Sequence, residues 1–314
     1  MAKIIASTNN KWWVWKTSTI VNVAQILAKK MRKKVLVIDL DQQCNLSQAI
    51  LWKNGFKINK NAWELFNIHS NVKIKSLIIE KTKTLHIIPW KVDDLFLIDA
   101  ILQDTHKTIW KITKKLNDIH SNFSEDKKGE IQNILTTLDK IVWDKEEWIR
   151  VLKKKISVIE DDYDYIFLDL PPSIARVPEN AWVSSDFLLV PISDNFALNW
   201  TEWLINKMID IKKNYNDDLR FIFFFNKVPL SSNFFWKNHI NKEYQKLIDS
   251  FVYALWKNET LSNISYVMQN IIRESRDVEK SYWIWKNLLK FKNSKVLEDY
   301  KGFTKELHTI CKKK

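Results

Sequence analysis

The first 40 or so residues carry an apolar pattern that limits the fold more than any other feature of the chain. A short apolar run covers residues 3–8, and a second run, Val35–Asp39, follows two lysines. Between the two runs, apolar residues recur at the spacing of one helical face: Ile20, Val23, Ala24 and Leu27. A strand, a helix and a second strand within about 40 residues predict a βαβ unit, which requires a parallel sheet.

Further apolar runs extend the predicted sheet. They lie at residues 85–89, 165–170, 187–192 and 221–226, and they are near-continuous rather than alternating. This is typical of strands covered on both faces. Residues 98–160 are mostly polar and charged, with Leu and Ile at helical spacing, and no clear linker divides the chain. We therefore predict one α/β domain over residues 1–314, with a doubly wound, mostly parallel sheet and a helical insertion at about 98–160.

The loop between the first strand and the first helix has an unusual composition. It reads Asn10-Lys11-Trp12-Trp13-Val14-Trp15-Lys16-Thr17-Ser18. A Lys-Thr pair that opens a helix directly after a strand is typical of a phosphate-binding loop. Such a loop needs glycine because several positions take positive φ and because backbone N–H groups must approach phosphate oxygens closely. As written, the three indoles would fill that space.

With glycine at the three tryptophan positions, the loop resembles the deviant Walker A motif, KGGxxK[ST], of the ParA/MinD family of P-loop ATPases. The resemblance implies an ATP site formed by Lys11, Trp12, Trp13, Val14, Trp15, Lys16, Thr17 and Ser18. It implies that Lys16 contacts the β- and γ-phosphates and that Thr17 binds Mg²⁺. In this family the lysine at the place of Lys11 reaches the partner's nucleotide across a dimer interface, which ties hydrolysis to dimerisation.

The composition of the chain supports reading glycine at these tryptophan positions. The chain has 3 Gly and 16 Trp, whereas glycine alone usually makes up about 7% of a protein. Trp90 follows a predicted strand, Trp200 and Trp203 occupy a segment that is FALEG in the family, and Trp283 and Trp285 stand in a predicted turn. The simplest interpretation is a gene in which UGA encodes glycine. The alternative is an aromatic surface for bases or membrane, which the clustering at turn positions disfavours.

An acidic segment at the end of the second strand resembles the family's switch I motif, DxDPQGN. Here Gln42 replaces the motif's Pro and Cys44 replaces its Gly. The resemblance implies that Asp41 positions the attacking water and that Asp39 lies near the metal ion.

Residues 163–173 resemble the family's Walker B motif, YDxxxxDxPP. The resemblance implies that Asp169 reaches Mg²⁺ through water, although an Asp at the end of a strand can also simply cap the next helix. Asn226, which ends another predicted strand, falls where the family often places a residue that contacts the base.

The last third of the chain resembles two further family segments, IRxSxxxxEA within residues 270–281 and EDYxxLxKEL at residues 298–307. In total the resemblance covers about residues 1–97 and 163–310. Nonspecific DNA binding by ParA dimers implies contacts from a basic stretch made up of Arg273, Arg276, Lys280, Lys286, Lys290 and Lys292. A solvated lysine-rich face is the alternative for each of these residues.

Bulk properties exclude several classes of protein. No run of about 18 apolar residues is present, the start lacks the pattern of a signal peptide, and Cys44 and Cys311 are too few for a disulfide framework or a CxxC metal site. We therefore expect a cytoplasmic protein, and the ParA resemblance implies that it associates with the nucleoid. The net charge of +13 fits a polyanionic partner, as it also fits the Lys-rich bias of AT-rich genes.

The expected function is that of a ParA-like ATPase in chromosome or plasmid partition. The resemblance implies ATP and Mg²⁺ as ligands, an ATP-bound homodimer, nonspecific DNA binding and a ParB-like partner that stimulates hydrolysis. Two alternatives stay open. One is a MinD-like regulator whose tail, residues 303–314, binds membrane, which the better match of this tail to a packing helix disfavours. The other is an interaction protein without nucleotide, if the tryptophans are authentic.

Overall fold

The computed structural model describes residues 1–9, 16–51, 60–66, 72–90, 148–172, 176–193, 195–233, 236–283, 288–291 and 293–313. Its strands are β1 (Lys3–Ser7), β2 (Val35–Asp39), β3 (Ile79–Thr82), β4 (Leu85–Ile88), β5 (Tyr165–Asp169), β6 (Phe187–Ile192), β7 (Arg220–Val228), β8 (Leu230–Asn233), β9 (Trp236–Ile240), β10 (Ser265–Val267) and β11 (Ile272–Arg273). Its helices are α1 (Lys16–Lys30), α2 (Asn45–Leu51), α3 (Ile74–Leu77), α4 (Val151–Ile156), α5 (Arg176–Ser184), α6 (Asn195–Asn214), α7 (Lys242–Lys257), α8 (Glu259–Ile264), α9 (Arg276–Trp283) and α10 (Lys295–Lys312).

The main sheet confirms the predicted fold class. Its strand order is β10-β7-β6-β1-β5-β2-β4-β3, with β11 also paired to β7. The strands are parallel except β3, which runs antiparallel to β4 at one edge. Every residue of β2 and β6 is buried, as the near-continuous apolar runs predict for strands covered on both faces. Strands β8 and β9 form a separate antiparallel hairpin.

Helices cover both faces of the sheet and produce two hydrophobic cores. Alternation along a strand sends neighbouring side chains to opposite faces. In β1, Ile5 therefore packs in the core that contains α1 and α10, while Ile4 and Ala6 pack in the core on the other side, which contains α4, α5 and α7. This doubly wound arrangement places the helix that follows each strand over the sheet and leaves the carboxyl edge of the strands open to carry a site.

The carboxyl-terminal helix α10 packs into the fold. Phe303, Leu307 and Ile310 are buried in the same core as the apolar face of α1, and the Phe303 ring makes an edge contact with Phe224 of β7. The apolar residues of this tail are therefore part of the core, as the packing-helix interpretation expects. Among the described residues, the helices are too short or too polar to cross a membrane.

The end of the predicted insertion belongs to the main core. Ile149, Leu152 and Ile156 are buried there. The Asn180 side chain of α5 accepts a hydrogen bond from the Leu152 N–H and donates one to the carbonyl of Trp148, at 3.1 and 2.7 Å. The rest of the predicted insertion, up to residue 147, lies outside the described residues.

Three of the tryptophan positions noted in the sequence lie in helices. Trp200 and Trp203 lie within α6, a helix of 20 residues, and Trp283 is the last residue of α9. The apolar residues around positions 200 and 203 recur at helical spacing and continue the helix through both positions. Trp285 lies outside the described residues.

Candidate functional site

The carboxyl ends of three adjacent strands bring the predicted acidic residues together. Strand β5 lies between β1 and β2, and Asp169 at its end is in register with Ser7 on one side and with Asp39 on the other. Parallel strands have their carboxyl ends at one edge of the sheet, so the order β1-β5-β2 places both carboxylates beside the loop that follows β1. Residues far apart in the sequence thus form one site.

Lys16 is the first residue of α1, and its ammonium group points back toward the end of β1. Its Nζ donates to the carbonyl of Asn9 at 2.7 Å, and the Asn9 amide donates to the carbonyl of Pro191 in β6 at 2.7 Å. Lys16 is buried, and burial lowers its pKa to about 8, although the carboxylates of Asp169 and Asp41 oppose the shift. The lysine is therefore held beside the acidic cluster.

Asp39 is fully buried and has an ordered set of donors. Its Oδ1 accepts the Asp41 N–H at 3.2 Å, and its Oδ2 accepts both the N–H and the hydroxyl of Ser47, at 2.8 and 2.6 Å. Burial raises the pKa of Asp39 to about 7, the hydrogen bonds from Ser47 oppose the rise, and the Asp41 charge adds to it. The orientation of this carboxylate is set by backbone and side-chain donors together.

Asp169 is fully buried, and neither of its carboxylate oxygens has a satisfied hydrogen bond among the described residues. Burial raises its pKa well above the usual range, and the Asp39 charge adds to the rise; the nearby Thr17 side chain and Lys16 ammonium lower it in part. A buried carboxylate with so little compensation is costly. Carboxylate and hydroxyl oxygens of this kind are the hard donors that Mg²⁺ prefers.

Asp41 follows β2 in a tight turn. Its Oδ1 accepts the Gln43 N–H at 2.9 Å, and its carbonyl accepts the Cys44 N–H at 2.9 Å. Burial raises the pKa of Asp41, and the Gln43 hydrogen bond and the Lys16 charge oppose that rise. Cys44 closes the turn with φ of 55°, the left-handed conformation that glycine adopts without strain. This explains why the switch I motif has glycine where the chain has Cys44.

The structure describes two of the other residues predicted for the nucleotide site, Asn226 and Ser18. Asn226 is buried in β7, two strands away from β1, and its side-chain carbonyl accepts the Lys227 N–H at 2.8 Å. Ser18 is in the first turn of α1, where its carbonyl accepts a hydrogen bond from the Asn22 side chain at 2.8 Å. The loop residues Lys11, Trp12, Trp13, Val14 and Trp15 lie outside the described residues.

The predicted basic stretch contains residues in two different environments. Arg273 in β11 is paired with Asp299 of α10, so its charge is compensated within the protein. Arg276, Lys280 and Lys290 are exposed. Lys286 and Lys292 lie outside the described residues.

Two tryptophans within the core have unsatisfied indole groups. Trp90 and Trp182 are 5% and 0% exposed, and within the described part of the chain neither indole N–H has a hydrogen-bond acceptor. A buried indole usually finds an acceptor. Both side chains nevertheless pack within the core, so their burial is apolar.

Sequence reasoning missed two residues that the structure brings into the site, Asn9 and Ser47. Asn9 holds Lys16 through a backbone carbonyl, which no side-chain motif reveals. Ser47 lies in the first turn of α2, directly after the switch I segment. One sequence signal could have identified Ser47: it is a hydroxyl residue in the first turn of the helix that follows the acidic end of a strand. The first turn of a helix has free N–H groups that can donate to a nearby carboxylate.

Comparison with known proteins supports the resemblance seen in the motifs. The AAA_31 family (AAA domain) matches residues 2–125 and 131–221, a range that includes most of the predicted insertion. The sporulation initiation inhibitor protein Soj of Bacillus subtilis is 28% identical over 220 residues, covering 70% of each chain.

Two longer matches extend over nearly the whole chain. A virulence plasmid ParA family protein of Chlamydia psittaci is 23% identical over 309 residues, covering 97% of this chain and 94% of the relative. A solved structure of a plasmid partition protein from Borrelia burgdorferi B31, bound to AMPPNP, is 21% identical with a TM-score of 0.63 and covers 100% of each chain. Together these matches confirm the predicted ParA/Soj resemblance and the fold.

Proposed function

The chain belongs to the AAA_31 family of AAA domains, and on that premise we propose that it is a ParA-like ATPase that acts in chromosome or plasmid partition. The observation that carries the proposal is the convergence of Lys16, Asp39, Asp41 and Asp169 at one edge of the sheet, beside the start of α1. Phosphoryl transfer to water requires a cation that binds phosphate oxygens. It also requires carboxylates that hold a metal ion and orient the attacking water.

Each residue has a distinct role in this proposal. Lys16 binds the β- and γ-phosphates, and Thr17, Asp39 and Asp169 hold Mg²⁺. When bound, the metal ion neutralises charge on the phosphates. Asp41 orients the attacking water, and Lys11 completes the site of the second subunit in an ATP-bound homodimer. The dimer binds DNA nonspecifically through exposed basic residues, among them Arg276, Lys280 and Lys290, and a ParB-like partner stimulates hydrolysis.

ATP binding by this loop requires glycine, and we propose that positions 12, 13 and 15 are glycine in the functional protein. Mass spectrometry of peptides from the protein purified from its native host tests this directly. Glycine at 12, 13 and 15 is the expected result, and tryptophan there would favour an interaction protein that binds no nucleotide.

The activity is tested with the same native protein in a DNA mobility-shift assay. We expect a shift that requires ATP and Mg²⁺ and that weakens steeply as salt rises, since phosphate contacts release counterions. An ATP-independent shift would count against the proposal. Vesicles of anionic lipid serve as the parallel arm: ATP-dependent binding to vesicles without binding to DNA would support a MinD-like role instead.

A further inference from the structure

Ser47 makes several polar contacts with the acidic cluster, although no sequence motif assigned it a role there. It is 6% exposed and lies in the first turn of α2. Its hydroxyl and its backbone N–H both donate to the same oxygen of Asp39, at 2.6 and 2.8 Å. Two donors on one oxygen define the rotation of the carboxylate about its side chain as well as its position.

The Ser47 hydroxyl is itself held from the other side. It accepts the backbone N–H of Trp90 at 2.9 Å, at the residue pair that follows β4. This bond orients the hydroxyl so that its proton points to Asp39. Because the donor is a backbone N–H, this hydrogen bond forms whether residue 90 is tryptophan or glycine.

The two oxygens of Asp39 thus have different surroundings. Oδ2 accepts two hydrogen bonds from Ser47, whereas the one contact that Oδ1 accepts within the described part of the chain is the longer one from the Asp41 N–H, at 3.2 Å. Asp169, in register with Asp39 on the adjacent strand, has two oxygens without a satisfied partner among the described residues. A carboxylate held through one oxygen keeps the other available for a cation.

We propose that Ser47 is a positioning residue for divalent-metal binding: with the Trp90 N–H behind it, Ser47 occupies Oδ2 of Asp39 and directs Oδ1 toward the cation shared with Asp169. The proposal rests on the proposed ATPase function. It differs from a purely structural role, in which Asp39 would only cap α2 and loss of the Ser47 hydroxyl would lower stability without altering metal affinity.

The test measures Mn²⁺ binding by EPR, with and without ATP. It compares the unmutated protein from its native host with three variants: Ser47→Ala, Ser47→Thr and Ser184→Ala. Ser184 is a matched control because its buried hydroxyl donates to the Asn180 carbonyl at 2.7 Å, within α5. We expect Ser47→Ala to weaken Mn²⁺ binding by about 10-fold or more, as loss of an outer-shell partner does. Ser47→Thr, which keeps the hydroxyl, should restore binding, and Ser184→Ala should leave it unchanged.

Three results would overturn the proposal. They are wild-type Mn²⁺ affinity in Ser47→Ala, failure of Ser47→Thr to bind better than Ser47→Ala, and equal losses in Ser47→Ala and Ser184→Ala. If Ser47→Ala does not fold, Ser47→Cys replaces it, since the thiol fills the space but donates weakly. Failure of the unmutated protein to bind ATP or Mn²⁺ would instead contradict the proposed ATPase function itself, which separates the two hypotheses.

Discussion

The guanidinium of Arg273 donates two hydrogen bonds to the carboxylate of Asp299, from Nε to Oδ2 at 2.6 Å and from Nη2 to Oδ1 at 2.7 Å. The Arg273 backbone N–H donates to the same carboxylate at 3.1 Å. The pair joins β11 to α10, and the side chains of Arg273 and Asp299 are 22% and 12% exposed. A bidentate pair of this kind stabilises the fold and leaves little charge for an external phosphate.

Arg273→Ala is accordingly expected to act on stability. It should lower the free energy of unfolding by about 1–3 kcal/mol, because Asp299 loses a charged partner in a mostly buried position. Urea denaturation measures this. Asp299→Asn should destabilise similarly, and a wild-type urea midpoint in both variants would contradict the structural role.

Exposed basic residues of α9 should act on DNA binding instead. Arg276 and Lys280 are four residues apart and both exposed, so they share one helical face. If they contact DNA, each change to Ala should reduce the salt dependence of binding by about one phosphate contact and leave the urea midpoint within about 0.5 kcal/mol of wild type. Mobility shifts over a salt series measure this, with exposed Lys213 of α6 changed to Ala as the control.

The stability of the nucleotide-free, metal-free protein should depend on pH through Asp39. Its pKa is about 7 when folded against a usual 3.8, so between those values the folded state binds more protons than the unfolded state. Stability therefore falls as pH rises from about 4 through 7. Between pH 5 and pH 7.5, the free energy of unfolding of wild type should fall by at least about 1 kcal/mol more than that of Asp39→Asn. Urea denaturation at the two pH values measures this difference. Asp217→Asn, at an exposed loop position, should keep the wild-type slope.

Cys44 offers a test of backbone strain in the switch I turn. Its φ of 55° costs a residue with a Cβ about 1 kcal/mol relative to glycine. Cys44→Gly and Cys44→Ala both remove the sulfur, which contacts the Gln42 carbonyl at 3.4 Å, but only glycine relieves the strain. We expect Cys44→Gly to be more stable than Cys44→Ala by about 1 kcal/mol in thermal or urea unfolding. Equal stability of the two variants would show that the turn carries no such strain.

Asp41→Asn should separate binding from hydrolysis. The amide keeps the shape and the acceptor for the Gln43 N–H but loses the charge that orients water. ATP turnover should fall by about 100-fold or more, while ATP affinity stays within about threefold of wild type. Single-turnover hydrolysis and a fluorescent-nucleotide titration measure the two quantities. An equal loss of affinity and turnover would assign Asp41 to nucleotide binding rather than to water.

Much of the site was predictable because its chemistry lies in short motifs at strand ends. The segments around Lys16, Asp39 and Asp169 each combine an apolar run with a polar terminus, and parallel topology then implies a common edge. Contacts made by backbone groups were not predictable. The carbonyl of Asn9 that binds Lys16, and the Trp90 N–H that binds Ser47, have no signature in side-chain type.

Hydrophobic periodicity predicted the fold class from the sequence alone, and the motif resemblance predicted the acidic and basic residues of the site, because both are local properties of the chain. Only the tertiary structure decided that Asp39 and Asp169 lie in register, that Ser47 occupies one oxygen of Asp39, and that Arg273 is neutralised by Asp299. The physical reason is that strand order and helix packing bring together residues distant in sequence. The partner of a buried charge then depends on which groups the packing places within hydrogen-bond distance.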